Sequence, residues 1–149
     1  MRANARIVAV VIALLAAPLT AEPAAAATSP IQFGRIFYDS PGADTRSAAS
    51  LNAEYVVVRN VSAAPVSLAG WSVTDVAAHR YTFGSVRVPA RGSLTLHTGR
   101  GAATAGHVYW GSGAYIWNNP GDTAYLAKPN GTRVDTCAWS TTRPGYTDC

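Results

Sequence analysis

From residue 31 onward, apolar and polar positions alternate with a period of two in short runs, and no stretch sustains the period of a helix. Residues 31–38 open the series, rich in Ile, Phe and Tyr, and a polar loop at 40–47 follows, extended through 48–52. The clearest strand is 55–59, Tyr-Val-Val-Val-Arg, with Glu54 and Asn60 at its ends. Residues 66–68, 71–73, 81–83, 86–88, 94–96, 108–110, 123–128 and 132–139 read as further strands, punctuated by Pro65, Gly70, Gly84, Pro89, Gly92, Gly99 and Gly111. Pro129-Asn130-Gly131 between the last two is a hairpin signal, and 100–106 is a small, glycine-rich surface loop. About nine short strands at a spacing near ten residues predict an all-β antiparallel sandwich. Trp71, Leu68, Leu94, Leu96, Val56, Val58, Tyr125 and Leu126 are its expected core, and Trp71 and Val73 should face inward together.

The first residues follow a different pattern. Arg2 and Arg6 make a basic start, residues 7–17 form an uncharged apolar run of eleven, Pro18 breaks it, and Ala25-Ala26-Ala27 supplies the small residues that signal peptidase reads. Such a run is too short to span a bilayer as a helix, which takes about 20 residues. We therefore expect a signal peptide over 1–27, cleaved after Ala27 with Ala26 as the neighbouring alternative. Residues 28–149 are then a single exported domain without a transmembrane segment. No lipobox cysteine or sorting tail is visible, so free release to the outside or the cell surface is the expectation.

The whole chain carries a formal net charge of +4, and removing Arg2, Arg6 and Glu22 leaves ten basic and seven acidic side chains, a net +3. Lys128 is the sole lysine and no run of basic residues occurs, which argues against nucleic acid as the primary partner. Two cysteines, Cys137 and Cys149, on an oxidising export route point to a disulfide, either within the chain or between chains through Cys149. An internal bridge would contribute on the order of 3 kcal/mol and pin an otherwise loose tail, 140–148, onto the last strand.

Three blocks then stand out in order: Glu54-Tyr-Val-Val-Val-Arg-Asn60, Leu68-Ala-Gly-Trp-Ser-Val-Thr-Asp75 and Trp117-Asn-Asn-Pro-Gly-Asp-Thr-Ala-Tyr-Leu126. Together they resemble the lamin tail domain, an immunoglobulin-like β-sandwich found at the end of nuclear lamins and in many exported bacterial proteins. The resemblance runs from about residue 31 to 139. It implies that Asn60 starts a turn by bonding backbone, that Gly70 frees the corner from which Trp71 swings into the core, and that Gly121 and Asp122 launch the next strand. It also implies a recognition or adhesion module, without naming a ligand. The chain lacks the rod of lamins, so filament assembly is not implied, and 122 residues leave no room for the nuclease or phosphatase partner seen fused in bacterial relatives.

The chemistry in the chain does not assemble into a catalytic set. His79, His97 and His107 lie apart in sequence, none at His-x-x-x-His spacing, with Asp39, Asp44, Asp75 and Glu54 as the available acids. His97 should close the strand 94–96, while His79 and His107 read as loop residues. Asp39 to Asp44 offers two carboxylates without the spacing of a calcium loop, so no metal or cofactor is expected. Tyr109, Trp110, Tyr115, Trp117 and Trp139 crowd the second half. Tyr115 and Trp117, with Asn118 and Asn119 beside them, could stack on and hydrogen-bond a sugar, although large rings are usually buried and packing is the favoured reading of Trp110 and Trp117. The expected function is a secreted, non-catalytic binding or structural module for an unknown extracellular protein or polysaccharide. A glycan-binding module and an accessory to a nuclease or phosphatase are the alternatives.

Overall fold

The computed structural model describes residues 28–140 and 144–149; the expected signal peptide over 1–27 lies outside the described residues. Among these the chain forms β1 (Ile31–Phe37), α1 (Ala48–Ala53), β2 (Tyr55–Asn60), β3 (Val66–Ser67), β4 (Ser72–Thr74), β5 (Arg80–Thr82), β6 (Arg87–Val88), β7 (Ser93–His97), β8 (His107–Tyr109), β9 (Asp122–Ala127), β10 (Arg133–Trp139) and β11 (Tyr146–Asp148). One sheet runs β11-β1-β2-β7-β8, a second β10-β9-β4-β5, and β3 with β6 makes a small ribbon. The all-β sandwich expected from the alternation, immunoglobulin-like as the resemblance implies, is the observed fold.

Each sheet turns one face to the core. Val56 and Val58, Leu94 and Leu96, and Val108 point inward from the first sheet, Val73, Ala124, Leu126 and Cys137 from the second, all 7% exposed or less. Strand β1 departs from strict alternation. Its register with β2 shifts between Phe33 and Ile36, so that Ile31, Phe33 and Ile36 all reach the core. This bulge also turns Phe37 outward, where an unbroken period of two would have buried it with Ile31 and Phe33. Gly34 sits inside the bulge, and a Cβ there would lie 3.3 Å from Val57 Cγ1. At the end of the core Tyr38 stacks on Trp139 at 4.7 Å, and Trp139, Trp117 and Trp110 continue edge to face at 5.8 and 6.0 Å.

Several expectations need correction. Residues 48–53 form a helical turn rather than loop, because Ser47 caps it by accepting from Ser50 N–H and Leu51 anchors it in the core. The tail is no loose end: β11 pairs antiparallel with β1, Phe37 opposite Tyr146 and Arg35 opposite Asp148. The Cys137–Cys149 bridge, within the chain at a Cα separation of 5.8 Å, closes just behind that strand. The sheets are not wholly antiparallel either, since β7 and β8 run parallel. His107 accordingly starts a strand instead of sitting in a loop. Finally, Tyr125 is not core. It neighbours buried Ala124 and Leu126 on β9, so the period of two sends its ring to the outer face.

Candidate binding faces

The residues singled out in sequence as a sugar platform are held by the fold. Trp117 is 3% exposed and packs between Trp110 and Trp139. The Tyr115 hydroxyl hydrogen-bonds Ser50 Oγ, Asn118 Nδ2 donates to Asp122 Oδ2 (3.0 Å), and Asn119 Nδ2 donates to Asp39 Oδ1 (2.8 Å). The structure thus brings these four residues near one end of the sandwich, with the Tyr115 hydroxyl and both side-chain amide nitrogens already engaged. Asp39 serves this tie, and among the described residues no group of three His, Cys, Asp or Glu side chains clusters as metal ligands do.

The residues of the three sequence blocks act as hydrogen-bond hubs for loops. Asn60, 2% exposed, receives the Ser62 N–H on Oδ1 (2.9 Å) as the expected turn, and its Nδ2 also faces the carbonyls of Ala64, Val88 and Pro89 at 2.7, 3.2 and 3.0 Å. Asp122 accepts from Thr123 N–H (2.7 Å) and Val76 N–H (3.4 Å) on one oxygen, and from Asn118 N–H and Nδ2 on the other. Asp75 holds its own turn by accepting from His79 N–H at 2.8 Å and meeting His79 Nδ1 at 2.6 Å. Gly70 has φ of +79°, the left-handed backbone that only glycine adopts freely, and Trp71 follows it inward. Gly121 closes its turn by donating to Asn118 C=O (3.2 Å), and Trp139 Nε1 donates to the same carbonyl.

Glu54 is the most deeply buried carboxyl, with no exposed surface. Its Oε1 accepts from Thr98 Oγ1 (2.6 Å) and Ile116 N–H (2.8 Å), joining β2 to the segment before β9, while Oε2 has no hydrogen-bond partner among the described residues. Burial pushes this carboxyl up to about 7 from its ordinary 4.5, against the lowering effect of those donors. The folded chain therefore holds the proton more tightly than the unfolded chain. The stability this group contributes is complete below about pH 4.5 and is lost as pH rises through about 7, a span of roughly 3 kcal/mol. Glu54→Gln keeps the accepting oxygen and removes the charge. Thermal melts at about pH 5 and pH 8 should show this loss in the parent and not in the variant, and an equal loss in both would refute the assignment.

The outer face of the five-stranded sheet carries what the sequence did not disclose. Tyr146, Phe37, Tyr55, His97 and Tyr109 stand on five neighbouring strands at successive paired positions, one ring per strand. Their centroids are 5.5, 5.4, 5.8 and 5.1 Å apart in that order, and every ring is half-buried. The row crosses the whole sheet, about 19 Å at the ordinary strand spacing. Three of the four pairs are stacked, with interplanar angles of 21–25°. The fourth, Tyr55 with His97, meets at 61°, edge to face, and aromatic pairs of both kinds are worth about 0.5–1.5 kcal/mol each. The Arg35 guanidinium lies 4.0 Å from the Tyr146 centroid while bridging Asp148 at 2.7 Å, which closes one end. At the other end, a side chain on Gly101 would collide with the Tyr109 ring.

The two histidines of this face have defined roles. His97 Nδ1 lies 2.7 Å from Asn52 C=O, which can only accept, so Nδ1 carries a hydrogen and, in the neutral ring, Nε2 the lone pair. His107 Nδ1, 2.9 Å from that Nε2, is then the donor of the pair. Gln32 and Arg59, opposite each other on β1 and β2, with Ser93 next on β7, form a polar border on the same face. A signal for part of the row did exist in sequence, since Tyr55, His97 and Tyr109 stand at the parity opposite to the core residues of their strands, whereas Phe37 shares the parity of Ile31 and Phe33. Its continuity depends on register.

The lamin tail domain family model matches residues 24–141 of the chain. The match contains all three sequence blocks. No curated protein matches the chain.

Proposed function

The chain belongs to the lamin tail domain family, non-catalytic immunoglobulin-like modules, and we propose that it acts after export as a recognition module whose contact surface is the outer face of the five-stranded sheet. The observation that carries this reading is the continuous row Tyr146, Phe37, Tyr55, His97 and Tyr109. Ring edges and phenolic hydroxyls on a rigid sheet give large contact area with little conformational entropy to lose, a property of binding surfaces. Export is supported by the basic start, the eleven-residue apolar run and the alanine triplet, and by a disulfide that suits an oxidising compartment. No helix among the described residues is long and apolar enough to cross a membrane.

A polysaccharide is the ligand class this face suits best. The rings repeat at the strand spacing along a straight line, and Arg35, Gln32 and Arg59 border them with donors for hydroxyl groups. The set formed by Tyr115, Trp117, Asn118 and Asn119 suits that role less well, because the indole is buried and the amides are bonded within the fold. The test is co-sedimentation of the purified protein with insoluble polysaccharides and with surface material of the producing cell. Tyr55→Ser, which interrupts the row at its centre, should weaken retention at least tenfold when measured well below the variant's own melting temperature, and Tyr115→Ser should not. Equal retention of Tyr55→Ser and parent would reject the sheet face. Turnover of nuclease or phosphatase substrates by pure protein would reject the non-catalytic reading.

A further inference from the structure

A second, unrelated feature occupies the opposite side of the sandwich. On the outer face of β10-β9-β4-β5 three of the central positions are small, Ser72 and Thr74 on β4 and Ala127 on β9 beside the Tyr125 ring, while the two edge strands each contribute an arginine. Arg80 on β5 is paired opposite Thr74 and reaches inward to donate from Nη1 to Ser72 Oγ at 2.8 Å. Arg133 on β10, just before that strand's register shift, lays its guanidinium 3.7 Å from the centroid of Tyr125. Between them the sheet surface sinks into a hollow of about 200 Å³, lined by both arginines, Thr74, Tyr125, Ala127 and Asp75 among others.

The charges in this hollow do not cancel. Among the described residues the only ion pairs are Arg35 with Asp148 and His79 with Asp75, so neither Arg80 nor Arg133 has a carboxylate within 4 Å. Asp75 borders the hollow, but its side chain has no exposed surface and both oxygens are turned to His79. The remaining donors are the unused N–H groups of Arg80, the guanidinium of Arg133 and the Thr74 hydroxyl. That is an excess of donors over acceptors, arranged as two planar forks, which is the chemistry that holds a carboxylate or phosphate. Ala78, at the lip, keeps φ at +67° although it is not glycine, a strained backbone of the kind found at functional sites.

We propose that this hollow binds the ionised group of a small sugar anion, a sugar carboxylate or a sugar phosphate, between Arg80 and Arg133, with the Tyr125 ring against the sugar body. The volume selects a ligand of monosaccharide size, below the roughly 300 Å³ at which pockets for larger ligands begin. The inference stands independently of the aromatic row on the other sheet.

Amide chemical shifts during titration with glucuronate, glucose 1-phosphate, inorganic phosphate and glucose test it. Saturable shifts at Thr74, Ala127 and Arg133 are expected with one or both sugar anions, and none with glucose. Comparing glucuronate with glucose 1-phosphate tells which oxyanion is preferred. Arg80→Gln and Arg133→Gln should each weaken binding at least tenfold, a loss of about 1.4 kcal/mol, with melting curves close to the parent's because both side chains are exposed. Absence of saturable shifts with either sugar anion at millimolar concentration overturns the proposal. So does binding of phosphate alone, or affinity unchanged in the double variant.

Discussion

Asn60→Asp, a change of one amide to a carboxylate of the same shape, should destabilise the protein by at least about 4 kcal/mol at neutral pH. In the parent, Nδ2 points at three carbonyl oxygens, those of Ala64, Val88 and Pro89, within a site only 2% exposed. The carboxylate would set an anion against three carbonyl oxygens, each of which loses its bond to Nδ2, although Pro89 keeps the Gly92 N–H and Ala64 the Ser62 hydroxyl as donors. A buried acceptor left unpaired costs about 1–3 kcal/mol, and an uncompensated buried charge costs more. Ser62 would still find its acceptor, so the turn it closes is spared and the loss falls on the junction of β2 with the β6–β7 corner. Denaturant unfolding of the parent and variant at neutral pH measures the effect. Lowering the pH should recover part of it, because a protonated carboxyl offers one O–H to one of the three carbonyls. A stability within about 1 kcal/mol of the parent would mean that these contacts hold nothing that water does not replace.

Trp71→Ala should cost about 3–5 kcal/mol, the range for removing a large buried ring from a packed core. The indole is 8% exposed and sits between the two layers beside Leu68, Val73 and Phe83 in one continuous cluster. Gly70 cannot compensate by moving the corner, since it is committed to φ +79° and a Cβ on it would already touch Pro129 at 3.2 Å. The variant should unfold at much lower denaturant concentration or fail to accumulate folded. Val76→Ala, at a side chain 56% exposed, should stay near the parent and serves as the control. Coincident melting curves for Trp71→Ala and parent would contradict burial of the ring.

Both predictions concern residues of the blocks by which the family is read, and in both the work of the residue is architectural. Asn60, Asp75 and Asp122, with Glu54, close loops through buried hydrogen bonds. The residues offered to a partner, Phe37, Tyr55, His97 and Arg35 on one sheet, and Arg80 and Arg133 on the other, lie mostly outside the hydrogen-bonding hubs. A family resemblance carried by loop closure therefore implies a fold and leaves the ligand open.

How much could be read beforehand follows from the range of the interactions concerned. Strand parity at Val56, Val58, Leu94 and Leu96, the Asn130-Gly131 hairpin and the Gly70 corner are local, and the chain itself determined them through alternation and backbone freedom. The pairing of Cys137 with Cys149 was legible as one of two possibilities, because cysteine count and compartment restrict it without geometry. Helix α1 has no sequence signature because one turn has no period to show, and its stability comes from Ser47 and the burial of Leu51. Tyr125 reads as core by its apolar character, whereas its parity between Ala124 and Leu126 sends it to the outer face. What only the tertiary structure decided is which strands stand side by side. The bulge at Gly34 turned Phe37 outward, β11 returned to the edge of β1, and β8 joined β7 in parallel, and those three events aligned five rings that are as much as 109 positions apart in sequence. Lateral register is set by contacts distant along the chain, and so no local pattern could encode the row or the facing of Arg80 and Arg133 across four strands.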